Sequence, residues 1–360
     1  MKQEKTERAW ESETAAREEY FAAANSGRGF VSFFDEVFES PDVRKRYILQ
    51  GGPGTGKSSF LREAATYAEE RGMRVRRYRC SSDPDSLDGI LLDGRIALMD
   101  GTAPHAVEPR LPGARDELIN LGEFWDGARL GAYYNEIAAL SALKQESYRR
   151  AYRFLSAAME VLRVNRELVA PALLSEKLER AAERQGRGIP RGAGYSLTPA
   201  LIDSIGVRGG VRLDTYERIA RRLWVVEDYY GTGALFLLSM MEEGRRKGCA
   251  MRVSYQPLEP ELPDALLFEE SGVAYVLGDR GVSEVAGRVN MKRFVDGDRL
   301  TGVKVEYRIN RRLQDALLAS ATEALTDAGR HHFELERIYA SCMDFDALGK
   351  FTRSFCQRLG

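Results

Sequence analysis

Short apolar runs alternate with longer stripes of helical spacing along this chain. Tyr47, Ile48 and Leu49 form the kind of run that a strand buried on both faces needs. After a glycine-rich stretch, SSFLREAATYAEERG sets Phe60, Leu61, Ala64, Ala65 and Ala68 on one helical face, with Gly72 as the stop. MRVRRYRC, residues 73–80, predicts the next strand, and its four arginines suggest a solvated position near a sheet edge. Ile96 to Met99 predict another buried strand. From about residue 128 to 168 proline is absent, and Tyr148, Tyr152, Leu155, Met159 and Leu162 recur at spacings of four and three, a coiled-coil seam. A second helix follows Pro171 and runs to about Gln185, so the two are expected to pair as an antiparallel hairpin projecting from the sheet. GRGIPRGAG, residues 186–194, reads as a linker. Beyond it, Leu313, Leu317, Ala321 and Leu325 share one helical face, and a last helix spans about Phe345 to Leu359.

Between the first strand and its helix lies Gly51-Gly52-Pro53-Gly54-Thr55-Gly56-Lys57-Ser58, followed by Ser59. The spacing GxxxxGK[ST] in a strand–loop–helix context predicts a phosphate-binding loop. Glycines allow backbone amides to approach an anion, and the helix N-terminus adds its own. Lys57 is expected to neutralise the β- and γ-phosphates of ATP, and the Ser58 hydroxyl to ligate Mg²⁺. Asp100, at the end of the strand Ile96–Met99, is the expected second metal ligand. Gly101 rather than a glutamate follows it, so a base must come from elsewhere. His105, Glu108 and the acidic loop with Asp83, Asp85 and Asp88 are the candidates, with Asp88 preferred. The acidic loop also reads as a helix cap, with Pro84 at the first position.

The pattern repeats. Gly54-Thr55-Gly56 aligns with Gly231-Thr232-Gly233, an offset of 231 − 54 = 177, and Asp88 with Asp264 one residue out of that register. A nearly constant offset over several elements points to duplication. The second copy has Ala234 for Lys57, Leu235 for Ser58 and Leu277 for Asp100, and Asp228, Tyr229 and Tyr230 for Gly51, Gly52 and Pro53. It is expected to bind no nucleotide tightly. The expected architecture is therefore α/β: a duplicated P-loop fold of parallel sheets with helical extensions, its second copy degenerate. The segments are a charged extension over 1–18, an active repeat over 19–187 and a degenerate repeat over 195–360. Facing each other as an internal dimer, the halves would let Arg208, Arg212, Arg221 or Arg222 reach the intact site.

With 53 basic and 54 acidic residues among 360, the net charge is −1. No global field points to nucleic acid or an anionic membrane. The first residues are dense in charge and resemble no secretory signal, and the apolar stretch from Leu223 to Met241 is interrupted by Glu227 and Asp228. Cys80, Cys249, Cys342 and Cys356 form no CxxC, which fits a reducing cytoplasm and gives no zinc site. His331-His332 reads as a solvated helix face.

GGPGTGKS at Gly51 to Ser58, CSSDPDSLDG at Cys80 to Gly89, DGTAPH at Asp100 to His105 and EPRLPGARDELINLGEFWD at Glu108 to Asp126 together resemble an uncharacterised bacterial family of tandem P-loop proteins, ATPase- or nucleotide-kinase-like. The resemblance covers nearly the whole chain. It implies ATP binding, draws interest to Thr102, His105 and Glu108, and implies a loop in both halves, from which this chain departs. Three functions follow as expectations. One is a Mg-ATP hydrolase that moves its helices or a protein partner docked on them. Another is a small-molecule or nucleotide kinase, with Arg110 or Arg115 clamping charge. The third is a non-catalytic nucleotide-binding module.

Overall fold

Each half of the chain lays down the same elements in the same order. In the first half these are β1 (Glu18–Phe21), the hairpin β2 (Ala23–Ser26) and β3 (Gly29–Ser32), α1 (Phe34–Phe38), β4 (Lys45–Gln50), α2 (Lys57–Glu69), β5 (Val75–Arg79), β6 (Leu87–Leu92), β7 (Ile96–Asp100), β8 (Asp116–Asn120), α3 (Gly127–Ala132), α4 (Tyr134–Val169) and α5 (Ser175–Arg187). The second half gives β9 (Ser196–Pro199), β10 (Asp203–Gly206), β11 (Gly209–Arg212), α6 (Thr215–Ile219), β12 (Arg222–Glu227), α7 (Gly233–Arg246), β13 (Ala250–Tyr255), β14 (Pro263–Phe268), β15 (Val273–Leu277), β16 (Gly287–Asn290), α8 (Gly297–Thr301), α9 (Lys304–Ser341) and α10 (Phe345–Cys356). This computed structural model describes residues 18–278 and 284–359. The expected extension lies outside them except for Glu18, which opens β1.

The architecture is α/β, with two six-stranded sheets of identical order, β1-β5-β6-β7-β4-β8 and β9-β13-β14-β15-β12-β16. Register agrees as well as order. Leu49 pairs with Asp100 and Val226 with Leu277, and both partners are displaced by 226 − 49 = 277 − 100 = 177. The expected all-parallel sheet needs correction, because β6 and β14 run antiparallel to both neighbours. Asp93 and Gly94, at φ 47° and 70°, turn β6 straight back into β7. Asp-Gly at positive φ is hairpin chemistry, whereas a parallel return needs a crossover of a dozen or more residues.

The arginines of β5 are not solvated. The edge strand β1 reads Glu-Glu-Tyr-Phe and lies parallel to β5. Glu18 takes Arg76 at 3.0 Å and Glu19 takes Arg79 at 2.8 Å, while Arg77 reaches Glu69 on α2 at 2.7 Å. Arg252 of β13 also reaches Glu18, at 2.6 Å, so this carboxylate joins the two halves. The two sheets share an apolar core in which Tyr20, Phe38, Tyr78 and Met99 meet Ala200, Tyr216, Val225 and Val276.

The long helices change the expected helical arrangement. α4 pairs with α9 of the other half rather than with α5, burying Leu155 and Met159 against Ala321, Ala324 and Leu325. Each then delivers the next helix to the opposite sheet. α5 packs on α7, with Leu178 and Ala182 in the core of the second sheet. α10 packs on α2, with Leu348, Phe355 and Cys356 in the core of the first. The packing units therefore interleave across the linker at 186–194. A helix of 36 or 38 residues spans far more than one sheet, so its continuation lands on the neighbour. Phe355 stacks edge-on against Tyr47 at 4.8 Å and lies 5.0 Å from Phe60. Although it sits near the end of the chain, Phe355→Ala is expected to lower stability by about 3–5 kcal/mol in urea denaturation, as a core phenylalanine does.

Candidate functional site

β4 ends at Gln50, and the chain turns through Gly51 to Gly56 into α2. Gly54 and Gly56 hold φ at 70° and 85°, a region closed to most side chains, and Lys57 is the first helical residue. Its ammonium folds back over the loop and donates to the carbonyls of Gly51 at 2.7 Å and Gly52 at 2.9 Å. Thr55 Oγ1 also donates to the Gly52 carbonyl, at 2.9 Å. Ser58 Oγ accepts from the Leu87 amide at 2.9 Å, which ties α2 to the start of β6.

Asp100 ends β7, the strand hydrogen-bonded to β4, and its Oδ2 lies 3.7 Å from Lys57 Nζ. Oδ1 accepts from both the amide (2.8 Å) and the hydroxyl (2.6 Å) of Thr102. Burial pushes this carboxyl above the usual range; Lys57 and Thr102 oppose the shift. The loop residues, Asp100 and Ser59 line one cavity of about 1540 Å³.

Asp88 and His105 are brought together in the same cavity. His105 Nε2 lies 3.2 Å from Asp88 Oδ2, and both side chains are largely buried. The imidazole stacks on Phe34 at 4.0 Å and meets Phe30 edge-on at 4.9 Å, leaving Nδ1 buried with no partner. Burial, and then Asp88, push the neighbouring Cys80 thiol well up. Asp83 accepts from Ser86 Oγ at 2.8 Å and so caps the acidic turn, while still lining the cavity. Asp85 does not enter it; it is exposed and pairs with Arg208. Glu108 lies exposed at the rim. Arg110 pairs with Asp35 and Arg115 with Asp116, away from the cavity. None of Arg208, Arg212, Arg221 and Arg222 lines it.

The second half does reach this site, through α9 and α10. A Cβ on Gly54 would meet the Glu336 carbonyl oxygen at 2.4 Å, and one on Gly52 would meet the Tyr339 ring at 3.1 Å. Leu348 stands 3.0 Å from the same point on Gly56. The Glu336 carboxyl sits against the Gly54 amide. Burial and the charge of Asp83 raise its pKa, opposed by Lys57 and that amide. His332 is half-buried, against the expected solvated face. Its Nδ1 is 3.5 Å from Lys144 Nζ of α4, and its Nε2 is 3.6 Å from Glu336. Burial, Lys144 and Lys57 bring its pKa down to about 4, so the ring is neutral at pH 7. Lys144, His332, Glu336 and Tyr339 carry no local signature. Only the pairing of α4 with α9 makes them neighbours of the loop.

In the second copy the corresponding loop is filled from within. Asp228 Oδ1 accepts from the amides of Tyr230 at 3.2 Å and Thr232 at 3.0 Å. Asp264, the counterpart of Asp88, is buried beside Asp203, and burial first, then that neighbouring charge, raises its carboxyl well up. It faces no counterpart of Lys57.

Comparison with protein-family models, with curated proteins and with solved structures returned no match. The family resemblance therefore rests on the residue stretches themselves. Among the described residues no helix is long and apolar enough to cross a membrane.

Proposed function

We propose that Gly51 to Ser59 bind the polyphosphate of ATP and that the protein hydrolyses it, coupling the phosphate state of the loop to the helices α4 and α9. The observation that carries this reading is the convergence of Lys57 with the Gly51 and Gly52 carbonyls and with Asp100, 3.7 Å away on the adjacent strand. A lysine stretched over glycine carbonyls is a cation held where an anion is to come. Among the described residues no three His, Cys, Asp or Glu side chains converge as a metal cage. Magnesium beside a triphosphate needs none, because phosphates and water supply most of its ligands. Ser58 Oγ and the Asp100 carboxylate would hold it, and bound there it would screen the phosphate charge. Asp88, with His105 behind it, is then the base that orients the attacking water.

A second reading, transfer of the phosphoryl group to a small acceptor, is favoured by the size of the cavity. Its volume exceeds the 300–1,000 Å³ of a usual ligand pocket. It runs past the loop to Asn25, Tyr148 and Tyr152, where Tyr152 donates to Asn25 Oδ1 and Tyr148 to Ser82 Oγ, a polar lining beyond the loop. One experiment separates these readings: a single turnover of γ-labelled ATP. Free phosphate supports hydrolysis, and a labelled small molecule on adding metabolite extract supports transfer. Tightly bound but unchanged ATP leaves a non-catalytic binding module and removes both.

Coupling to α9 is tested separately. Glu336 places a carboxylate beside the amide that a phosphate would take. Glu336→Gln is therefore expected to tighten Mg-ATP binding roughly three- to tenfold, from ~1 kcal/mol for a partly exposed charge. Calorimetry checks this, and unchanged or weaker binding would rule out competition for the loop.

A further inference from the structure

Lys144 stands out among the cations of α4. Arg149 pairs with Glu146 and Arg150 with Asp327, each in solvent. Lys144 is half-buried, lines the cavity that holds Lys57, and has no carboxylate within ion-pair distance among the described residues. Its one close polar contact is the neutral ring of His332. Burial first, and the Lys57 ammonium second, hold it below the usual lysine range. The Glu336 carboxylate of α9 opposes that shift from beyond ion-pair distance; it sits against the Gly54 amide and lies 3.6 Å from His332.

An ammonium half withdrawn from water without an ion-pair partner is costly, and a long flexible side chain could relieve that by turning outward. Here it remains inside, facing a second cation across a cavity. Such a pair is complementary to a ligand with several negative charges at one end. The terminal phosphate of a nucleoside triphosphate is such a group. A lysine, a compact charge with three donors, can take one oxygen while keeping its contact to His332.

We propose that Lys144 is the second cation of the phosphate site, contacting the terminal phosphate of bound ATP from α4 while Lys57 contacts it from α2. This rests on the reading of Gly51 to Ser59 as the nucleotide loop. It makes the helix pair part of the site, and it makes a triphosphate bind differently from a diphosphate. His332 is then a positioning residue for the ammonium.

The test is the preference for Mg-ATP over Mg-ADP, measured by calorimetry on the full chain, with Mg-tripolyphosphate as a base-free probe. Lys144→Met is expected to reduce that preference about 10- to 100-fold, the worth of one hydrogen bond to a charged group. It should weaken tripolyphosphate similarly and leave Mg-ADP affinity within a few-fold. Lys144→Arg should restore part of the preference, which a merely structural role would not predict. Arg337→Met, removing an exposed cation at the same cavity, is expected to change it about fivefold at most. An unchanged ratio in Lys144→Met, or an equal loss in Arg337→Met, would overturn the assignment while leaving the nucleotide loop intact. If the unaltered protein bound neither Mg-ATP nor Mg-tripolyphosphate, the loop reading itself would fail, and this assignment with it.

Discussion

Lys57→Ala is expected to weaken Mg-ATP binding by more than about 100-fold while leaving the chain folded. Two charge-assisted hydrogen bonds to phosphate oxygens, at about 1.5–3 kcal/mol each, give that factor. The ammonium makes two bonds to loop carbonyls, and both acceptors can turn to water once it is gone. The loop keeps its course without the lysine, because Gly54 and Gly56 set its backbone and Thr55 Oγ1 closes it onto Gly52. Melting temperature should therefore fall little, and calorimetry should show the loss. The second copy is a natural version of this experiment. With Ala234 at the corresponding place, it carries Asp228 on its own amides. Near-normal binding in Lys57→Ala would move the nucleotide to another part of the cavity.

The turn from β4 into α2 was legible because its signal is local: spacing alone places eight consecutive residues between a strand and a helix. The duplication was legible too, since an offset of 176 or 177 carries β4 to β7 onto their second copies. The hidden parts depend on contacts distant in sequence. Two arginines in β5, Arg76 and Arg79, read as solvated because their carboxylates lie some 58 to 60 positions away, in β1. Asp93-Gly94 is itself a local hairpin signal, but the apolar pattern predicts a strand only after it, at Ile96–Met99, and none before it, where β6 lies. The roof of the site was illegible for a different reason. A heptad seam tells a helix to pair but does not name the partner, and α4 chose α9 over the adjacent α5. With that choice come Lys144, His332 and Glu336. Asp88 and Asp85 show the same limit at short range: three residues apart, Asp88 at the start of β6 faces His105 inside and Asp85 in the preceding turn faces Arg208 outside.

Arg46→Met is expected to destabilise the protein by about 3–5 kcal/mol, the cost of removing one partner from a buried ion pair, with Arg115 alone left to face Asp116. Arg46 and Asp116 side chains are both 0% exposed, and the guanidinium meets the carboxylate through two bonds of 2.8 and 2.9 Å. A third bond, to Glu39 at 2.5 Å, fixes the end of α1. Burial alone would push the Asp116 carboxyl up. Arg46, Arg115 and the amides of Leu111 and Arg110 overcome it and hold the group well below the usual carboxylate range. A carboxyl depressed in the folded state adds stability that is fully present above its unfolded pKa of about 4 and is lost as pH falls toward the folded value. Unaltered protein should therefore lose stability steeply below about pH 4, and Arg46→Met should flatten that acid limb in denaturant titrations across pH. The second half points to a rescue. Leu223 and Ala286 stand in the second half where the first has Arg46 and Asp116, and that sheet has the same strand order without the pair. Removing both charges, as Arg46→Leu with Asp116→Ala, is thus expected to recover part of the loss, since no carboxylate is left stranded. What neither variant should restore is the placement of β4 against β8, and β4 carries the glycine loop at its end. A double variant that regains stability yet binds Mg-ATP more weakly would show that this buried pair serves the position of the loop as well as the fold.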